Sequence, residues 1–148
     1  MIQKTKAKYF WRIAFRIIFI LYLLFLFFLT FFSRFYGRGY FHRSMNLLPF
    51  GTILQYISGS LPNRIKVTNL LGNIEAFIPM GFLPPLVFNK SVSFLRAMMI
   101  CAGISLFIEI TQYTLAVGAM DVDDLILNLA GGATGYALYA LARLFYKK

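Results

Sequence analysis

Residues Asp121–Phe145 read DVDDLILNLAGGATGYALYALARLF, and the fold turns on how this stretch is read. Three acids in four positions run directly into an apolar segment, in a chain of 148 residues with only five acids. After Asp124 no charge follows until Arg143. The stretch exceeds the ~20 residues that a helix needs to cross a ~30 Å hydrocarbon core. It is read as a membrane span with negative charge gathered at its mouth.

Composition agrees. Apolar residues make up 59% of the chain and charged residues 14%, well outside the usual balance of a soluble domain. The chain is read as one domain over residues 1–148. A single cysteine, Cys101, excludes an internal disulfide framework and is read as a core residue. With one histidine, His42, read as interfacial, a His/Cys metal site is not expected. The net charge of +10 is assigned to membrane boundaries rather than to nucleic acid, because lysine and arginine concentrate there in so apolar a chain.

Working outward, the preceding apolar stretches supply three more spans: 97–117, 69–88 and 10–33. The second ends at Pro84-Pro85, which discourages further helix. The first is built on IIFILYLLFLFFLTFF after Arg16, with Arg12 and Arg16 able to snorkel. The following SRFYGRG offers no small-x-small cleavage site, so this span is read as an uncleaved anchor. Between spans one and two, NLLPFGTILQYI places Pro49 in a first helical turn. Phe50, Ile53, Leu54 and Ile57 then follow at helical spacing, too short to span. The expected fold is all-α and polytopic: four transmembrane helices plus a short interfacial or re-entrant helix between spans one and two.

With the N-terminus inside, cytoplasmic segments hold Lys4, Lys6, Lys8, Arg12, Arg16, Lys90, Arg96, Arg143, Lys147 and Lys148. Arg34, Arg38, Arg43, Arg64 and Lys66 lie outside. The bias favours both termini in the cytoplasm and puts all five acids, Glu75, Glu109, Asp121, Asp123 and Asp124, on the outer side.

Polar residues then fall in stripes. Ala102, Ser105, Glu109, Gln112 and Ala116 share one face of span three, and Asp121, Asp124, Asn128, Gly131 and Gly135 one face of span four. Span two adds Asn69, Asn73 and Ala76, with Glu75 toward a different neighbour. At ~1.5 Å per residue, Asn73, Gln112, Asn128 and Glu109 lie roughly 6 to 12 Å below the outer surface. Polar groups at that depth are costly against lipid, so they are expected to share one inward recess. Asp123, one helical step off the Asp124 face, is expected outside it and solvated. Plainer roles fit several of these residues. Asp121 suits a helix N-cap with Asp124 at N3, Glu109 an ion pair with an outer-loop arginine, and Asn73 and Asn128 interhelical glue. The glycines suit close packing.

The ordered set NLLPF, NLLGNIEAFIPMGF, EITQY and DVDDLILNLAGGATGY, spanning about 46–142, resembles the VanZ-like family of bacterial membrane proteins. The family is named for a determinant of resistance to the glycopeptide teicoplanin. The resemblance implies characteristic positions at Asn46, Pro49, Phe50, Asn73, Phe77, Pro79, Gly81, Glu109, Gln112, Asp121, Asp124, Asn128, Gly131 and Gly135. Two departures stand out: Glu75 replaces a usual apolar residue, and VGAM stands where many members have an arginine before the acids. Arg43 or Arg64 is then the expected substitute partner.

The function expected is glycopeptide or lipoglycopeptide tolerance at the bacterial plasma membrane. The binding residues would be Asn73, Glu109, Gln112, Asp121, Asp124 and Asn128 in an acidic recess facing the outer leaflet. Its partner would be membrane lipid, a lipid-linked cell-wall precursor or the lipoglycopeptide itself. The alternative is an intramembrane enzyme acting on a lipid or lipid-linked precursor, with Glu109 and Asp124 as the catalytic pair. No metal is assigned, although the same oxygens suit Mg²⁺ or Ca²⁺. A proton-coupled exporter is disfavoured because no polar path reaches the inner face. A membrane scaffold with only structural polar contacts remains a further reading.

Overall fold

The computed structural model describes residues 2–32, 44–58, 63–88 and 92–146. The element order is α1 (Ile2–Phe32), β1 (Met45–Asn46), α2 (Gly51–Ile57), α3 (Asn63–Phe82), α4 (Pro84–Val87), α5 (Phe94–Thr114), β2 (Met120–Asp121) and α6 (Val122–Tyr146). Four stretches are long and apolar enough to cross a membrane: Tyr9–Phe32, Asn69–Val87, Phe94–Thr114 and Val122–Phe145. The all-α, four-span architecture expected from the sequence is therefore present.

Three boundaries differ from the sequence reading, each for a local reason. The third span begins and ends three residues early. At its start the Ser93 side chain accepts the Arg96 N–H at 3.3 Å. At its end Ala116 takes a left-handed conformation, φ 55°. There the Val117 N–H reaches the Gln112 carbonyl at 3.0 Å and the Ala116 N–H the Tyr113 carbonyl at 3.2 Å. This pair of bonds is a Schellman closure, here built on alanine rather than glycine. The second span keeps its expected bounds: α3 stops at Phe82, and Pro84-Pro85 opens the one-turn α4, where a missing N–H costs nothing, so the span closes at Val87. Pro49 lies ahead of α2 rather than in it. The Gly51 N–H bonds the Leu48 carbonyl at 3.2 Å, and Phe50 has φ 65°. This makes Leu48–Gly51 a type II turn with proline at its second position.

The bundle is organised around α3 and α6, whose backbones touch. A Cβ on Gly131 would land on the Ile74 carbonyl, one on Gly135 on the Ile78 carbonyl, and one on Gly81 on the Gly132 carbonyl. Small residues allow this approach, and in lipid close packing replaces the hydrophobic drive that holds helices together in water. Pro79 sits inside α3 without breaking it. Beside that site the Tyr22 hydroxyl of α1 donates to the Ala76 carbonyl at 2.7 Å.

Leu26, Phe77, Met80, Cys101 and Ile108 form the central core cluster, with Leu129 of α6 packed at its edge, and Leu127 of α6 is buried as well. Cys101 is fully buried, as expected. Helix α1 is peripheral and turns Leu21, Leu24, Phe25, Phe27 and Phe28 outward, a surface suited to acyl chains. None of α2 is buried, and its Leu54 and Ile57 project outward, as an interfacial segment requires.

The α3–α6 contact yields a direct test. Gly135→Val should lower the thermal stability of the detergent-solubilised protein by about 1–3 kcal/mol or prevent folding, through overpacking. A Cβ added at Gly103 would meet nothing within 4 Å, so that position should accept alanine with no loss and a gain of up to ~1 kcal/mol. Equal tolerance at both positions in a thermal unfolding assay would refute the close crossing.

Candidate functional site

The acidic end of the bundle is built by a small parallel pairing that sequence periodicity does not reveal. Strands β1 and β2 align Met45 with Met120 and Asn46 with Asp121, and the Met120 N–H extends the pairing to the Ser44 carbonyl at 3.0 Å. This brings the loop before α2 against the start of α6. Asn46 then donates from Nδ2 to Asp121 Oδ1 at 3.0 Å and to the Thr52 hydroxyl at 2.8 Å. That hydroxyl in turn donates to Asp121 Oδ2 at 2.6 Å. Asp121 also accepts the Asp123 N–H at 2.9 Å, which makes it the N-cap of α6.

Asp123 departs from expectation. It is not solvated: its side chain is 0% exposed. It accepts the Phe50 N–H at 2.5 Å on Oδ1, and the Thr52 and Ile53 N–H groups at 2.8 and 3.0 Å on Oδ2. These are donors at the start of α2, so Asp123 caps α2 from another helix. A residue one step off the Asp124 face here reaches a different neighbour, not solvent. Among these bonds is one to the N–H of Phe50, whose left-handed conformation is unfavourable for a residue with a side chain.

Beneath this bracket lies an open recess of about 390 Å³, solvent space at its mouth included. All four spans contribute. Thr30 comes from α1, Asn73 and Phe77 from α3, Glu109 and Gln112 from α5, and Asp124 and Asn128 from α6. The structure thus brings together five of the six residues expected to bind. Asp121 does not line the recess, because its carboxylate is turned to Asn46 and Thr52. Asn69 also points elsewhere, donating to the Tyr56 hydroxyl of α2 at 2.8 Å. Burial raises the Tyr56 pKa; the Asn69 bond opposes the shift and the neighbouring aspartates add to it, keeping the phenol neutral. Glu75 is exposed on another face of α3, as its angular position implied.

Each lining group is held in place. Glu109, 4% exposed, accepts the Asp121 N–H on Oε2 at 2.9 Å, tying α5 to the start of α6. Asn73 Nδ2 donates to Asp124 Oδ1 at 2.5 Å. Gln112 Nε2 donates to the Thr30 carbonyl at 2.9 Å, and Asn128 Nδ2 to the Ser105 hydroxyl at 2.8 Å. The oxygens of both amides, Gln112 Oε1 and Asn128 Oδ1, are buried without a partner among the described residues. Arg43 and the Arg64 side chain, expected partners of the acids, lie outside the described residues, as does His42. Among the described residues no cluster of three His, Cys, Asp or Glu side chains is arranged to hold a metal ion.

Asn46, Pro49 and Phe50 shape the loop that Asp121 and Asp123 hold. Phe77, 1% exposed, forms an apolar wall of the recess. Two participants carry no signal in the sequence analysis: Thr52, whose hydroxyl links Asn46 to Asp121, and Thr30, whose backbone carbonyl has no side-chain signature.

The profile of the VanZ/LLP1 family matches residues 19–143. The chain is also 34% identical over 103 residues to Protein VanZ of Enterococcus faecium, a match covering 70% of this chain and 56% of that protein. The chain therefore spans little more than half the length of this relative. No solved structure matches it. The chain belongs to the VanZ/LLP1 family.

The Asp123 arrangement can be measured. Asp123→Ala removes one acceptor side chain from three backbone donors, and hydrogen bonds to a charged group contribute ~1.5–3 kcal/mol each. The opening free energy of residues 50–57 should fall by about 2 kcal/mol, which accelerates amide exchange there roughly 30-fold. Exchange in α5 should change little. Unaltered exchange across residues 50–57 would show that Asp123 does not hold α2.

Proposed function

We propose that this member of the VanZ/LLP1 family contributes to teicoplanin and lipoglycopeptide tolerance at the bacterial plasma membrane. It would act through a polar recess open to the outer leaflet, with both termini in the cytoplasm. The observation that carries this reading is convergence: Asn73, Glu109, Gln112, Asp124 and Asn128, from three spans, line one opening. Polar groups at membrane depth are expensive, and their usual justification is function or mutual satisfaction. Two amide oxygens here, Gln112 Oε1 and Asn128 Oδ1, have no hydrogen-bond partner among the described residues.

Orientation rests on the charge bias. With the N-terminus inside, the sequence puts all five acids on the outer side and ten of the fifteen basic residues on the inner side. Among the described residues the buried polar side chains are Ser105, Glu109, Gln112, Asp123 and Asn128. They occupy the half of the bundle toward the acidic end. The other half of the core is Met80, Cys101 and neighbouring apolar groups, which favours a one-sided binding site over a proton-coupled export path. Such a site could receive a polar part of a membrane lipid, of a lipid-linked wall precursor or of the antibiotic.

Two experiments check this. Reporter fusions after Asn89 and Gly118 should report cytoplasmic and external locations; the reverse pattern would invert the site and reject the outer-leaflet reading. Glu109→Gln and Asp124→Asn retain shape and hydrogen-bonding capacity while removing charge. At wild-type membrane abundance, each should abolish most of the lipoglycopeptide tolerance that the wild-type gene confers. Glu75→Gln, outside the recess, should preserve it. Full tolerance in both recess variants would reduce these acids to architecture.

A further inference from the structure

One acid takes no part in the acidic bracket or the recess. Glu75 is exposed, and among the described residues its side chain makes no hydrogen bond or ion pair. It nevertheless lies inside a membrane span, six residues beyond Asn69, or about 9 Å along the helix. Across the α3–α6 crossing Ile74 meets Gly131, which puts Glu75 level with Gly132, about 15 Å from the start of span four at Val122. A glutamate stem is too short to carry its charge to the interface through that depth, as lysine and arginine stems do. Acids exposed to lipid are costly, and acids within membrane spans are almost always paired.

The crossing also fixes what lies beside Glu75. Gly131 meets Ile74 and Gly135 meets Ile78, so α3 and α6 run in the same direction and in step. At about 100° per residue, the residue after Ile74 and the residues before Gly131 and Gly135 emerge on one side of the pair. These are Glu75, Ala130 and Thr134. The other side carries Phe77 and Gly132, which face the core and Cys101. Burial agrees, since Ala130, Thr134 and Ala137 are exposed, as is Leu141. Beside a carboxyl group, then, α6 presents small side chains and one hydroxyl within a helical turn of the same level. Thr134 Oγ1 donates to the Ala130 carbonyl of its own helix at 2.9 Å, a local bond that slightly destabilises a helix and is readily exchanged.

We infer that a second copy of the chain docks on this face, with Glu75 of each copy against Thr134 of the other. A twofold axis along the membrane normal keeps every residue at its own depth in both copies. A self-complementary contact therefore needs a donor and an acceptor at one level on one face, and Glu75 with Thr134 meets that condition. A hydroxyl both donates and accepts, so it complements the carboxyl group in either protonation state. The symmetry forms the bond twice, and Ala130 and Ala137 let the two α6 backbones approach. A helix of another protein would have to bring its own donor to this level; a second copy already carries one. The recess lies on the core side of the α3–α6 pair, where α1 and α5 also line it, so the contact is independent of the function proposed above.

Energy transfer between fluorophore-tagged copies of the full-length protein, reconstituted in vesicles over a range of lipid-to-protein ratios, reads the association. The wild type should dimerise. Glu75→Leu and Thr134→Val each remove both interhelical bonds and should weaken association about tenfold, whereas Glu75→Gln keeps the bonds and should match the wild type. Both positions are exposed, so an unchanged thermal midpoint should show that each variant is folded. In native membranes a photoreactive benzophenone side chain at Leu141 should cross-link two copies, while one at Met99, exposed on α5, should not. A wild type that stays monomeric at every ratio overturns the inference, as does wild-type association in folded Glu75→Leu or Thr134→Val. Capture of lipid or of a different protein at Leu141, in place of a second copy, overturns it too.

Discussion

The close backbone crossing of α3 and α6 is the constraint on which the rest of the molecule depends. Gly81, Gly131 and Gly135 leave no room for a side chain between the two helices. At that separation a short amide on α3 can reach a short carboxylate on α6, which is why Asn73 and Asp124 meet at 2.5 Å. A wider pair would need longer side chains and would admit lipid or water between them. The glycines thus set the width of the recess without touching anything in it. Helix α1 then closes the open side through Tyr22, Gln112 and the Thr30 carbonyl.

The concentration of acids at the start of α6 is a division of labour by helical angle. Asp121 caps its own helix and, with Asn46 and Thr52, fastens the loop before α2. Asp123 caps α2. Asp124 faces the recess. Glu109 joins the set from α5 by accepting the Asp121 N–H. Negative charge at a helix N-terminus is favourable in itself, so the same four residues both stabilise α6 and distribute three separate contacts around it. The α2 segment that exposes Leu54 and Ile57 is thereby fastened to the start of α6.

Much of this is legible in the sequence because membrane helices leave few alternatives. Span number follows from apolar length, and the faces of α5 and α6 follow from steps of three and four. Depth follows from rise per residue, which is why Asn73, Glu109, Gln112, Asp124 and Asn128 group correctly in space. What escapes is everything that depends on non-helical backbone. The β1–β2 pairing has two residues per strand, below any periodicity. Asp123 reads as solvated because a helical wheel contains only one helix, whereas its partners are backbone N–H groups at positions 50 to 53. The Thr30 carbonyl is invisible for the same reason, since main-chain acceptors carry no residue-type signal. Helix α5 is displaced from its expected bounds because Ala116 gives no hint of a left-handed stop, a position where glycine would have announced itself.

The bracket at the acidic end joins residues far apart in the chain: Asn46 to Asp121, and Phe50 to Asp123. A connection of that length closes slowly and late. During synthesis, α1, α2 and α3 emerge before α6 exists, so α2 has no cap and Asn73 no carboxylate partner. Helix α6 therefore supplies both the missing wall and the fasteners. Until it inserts, the nascent protein has a hydrophobic anchor and a polar half-site open to lipid, a stage at which a membrane insertase or chaperone has most to protect.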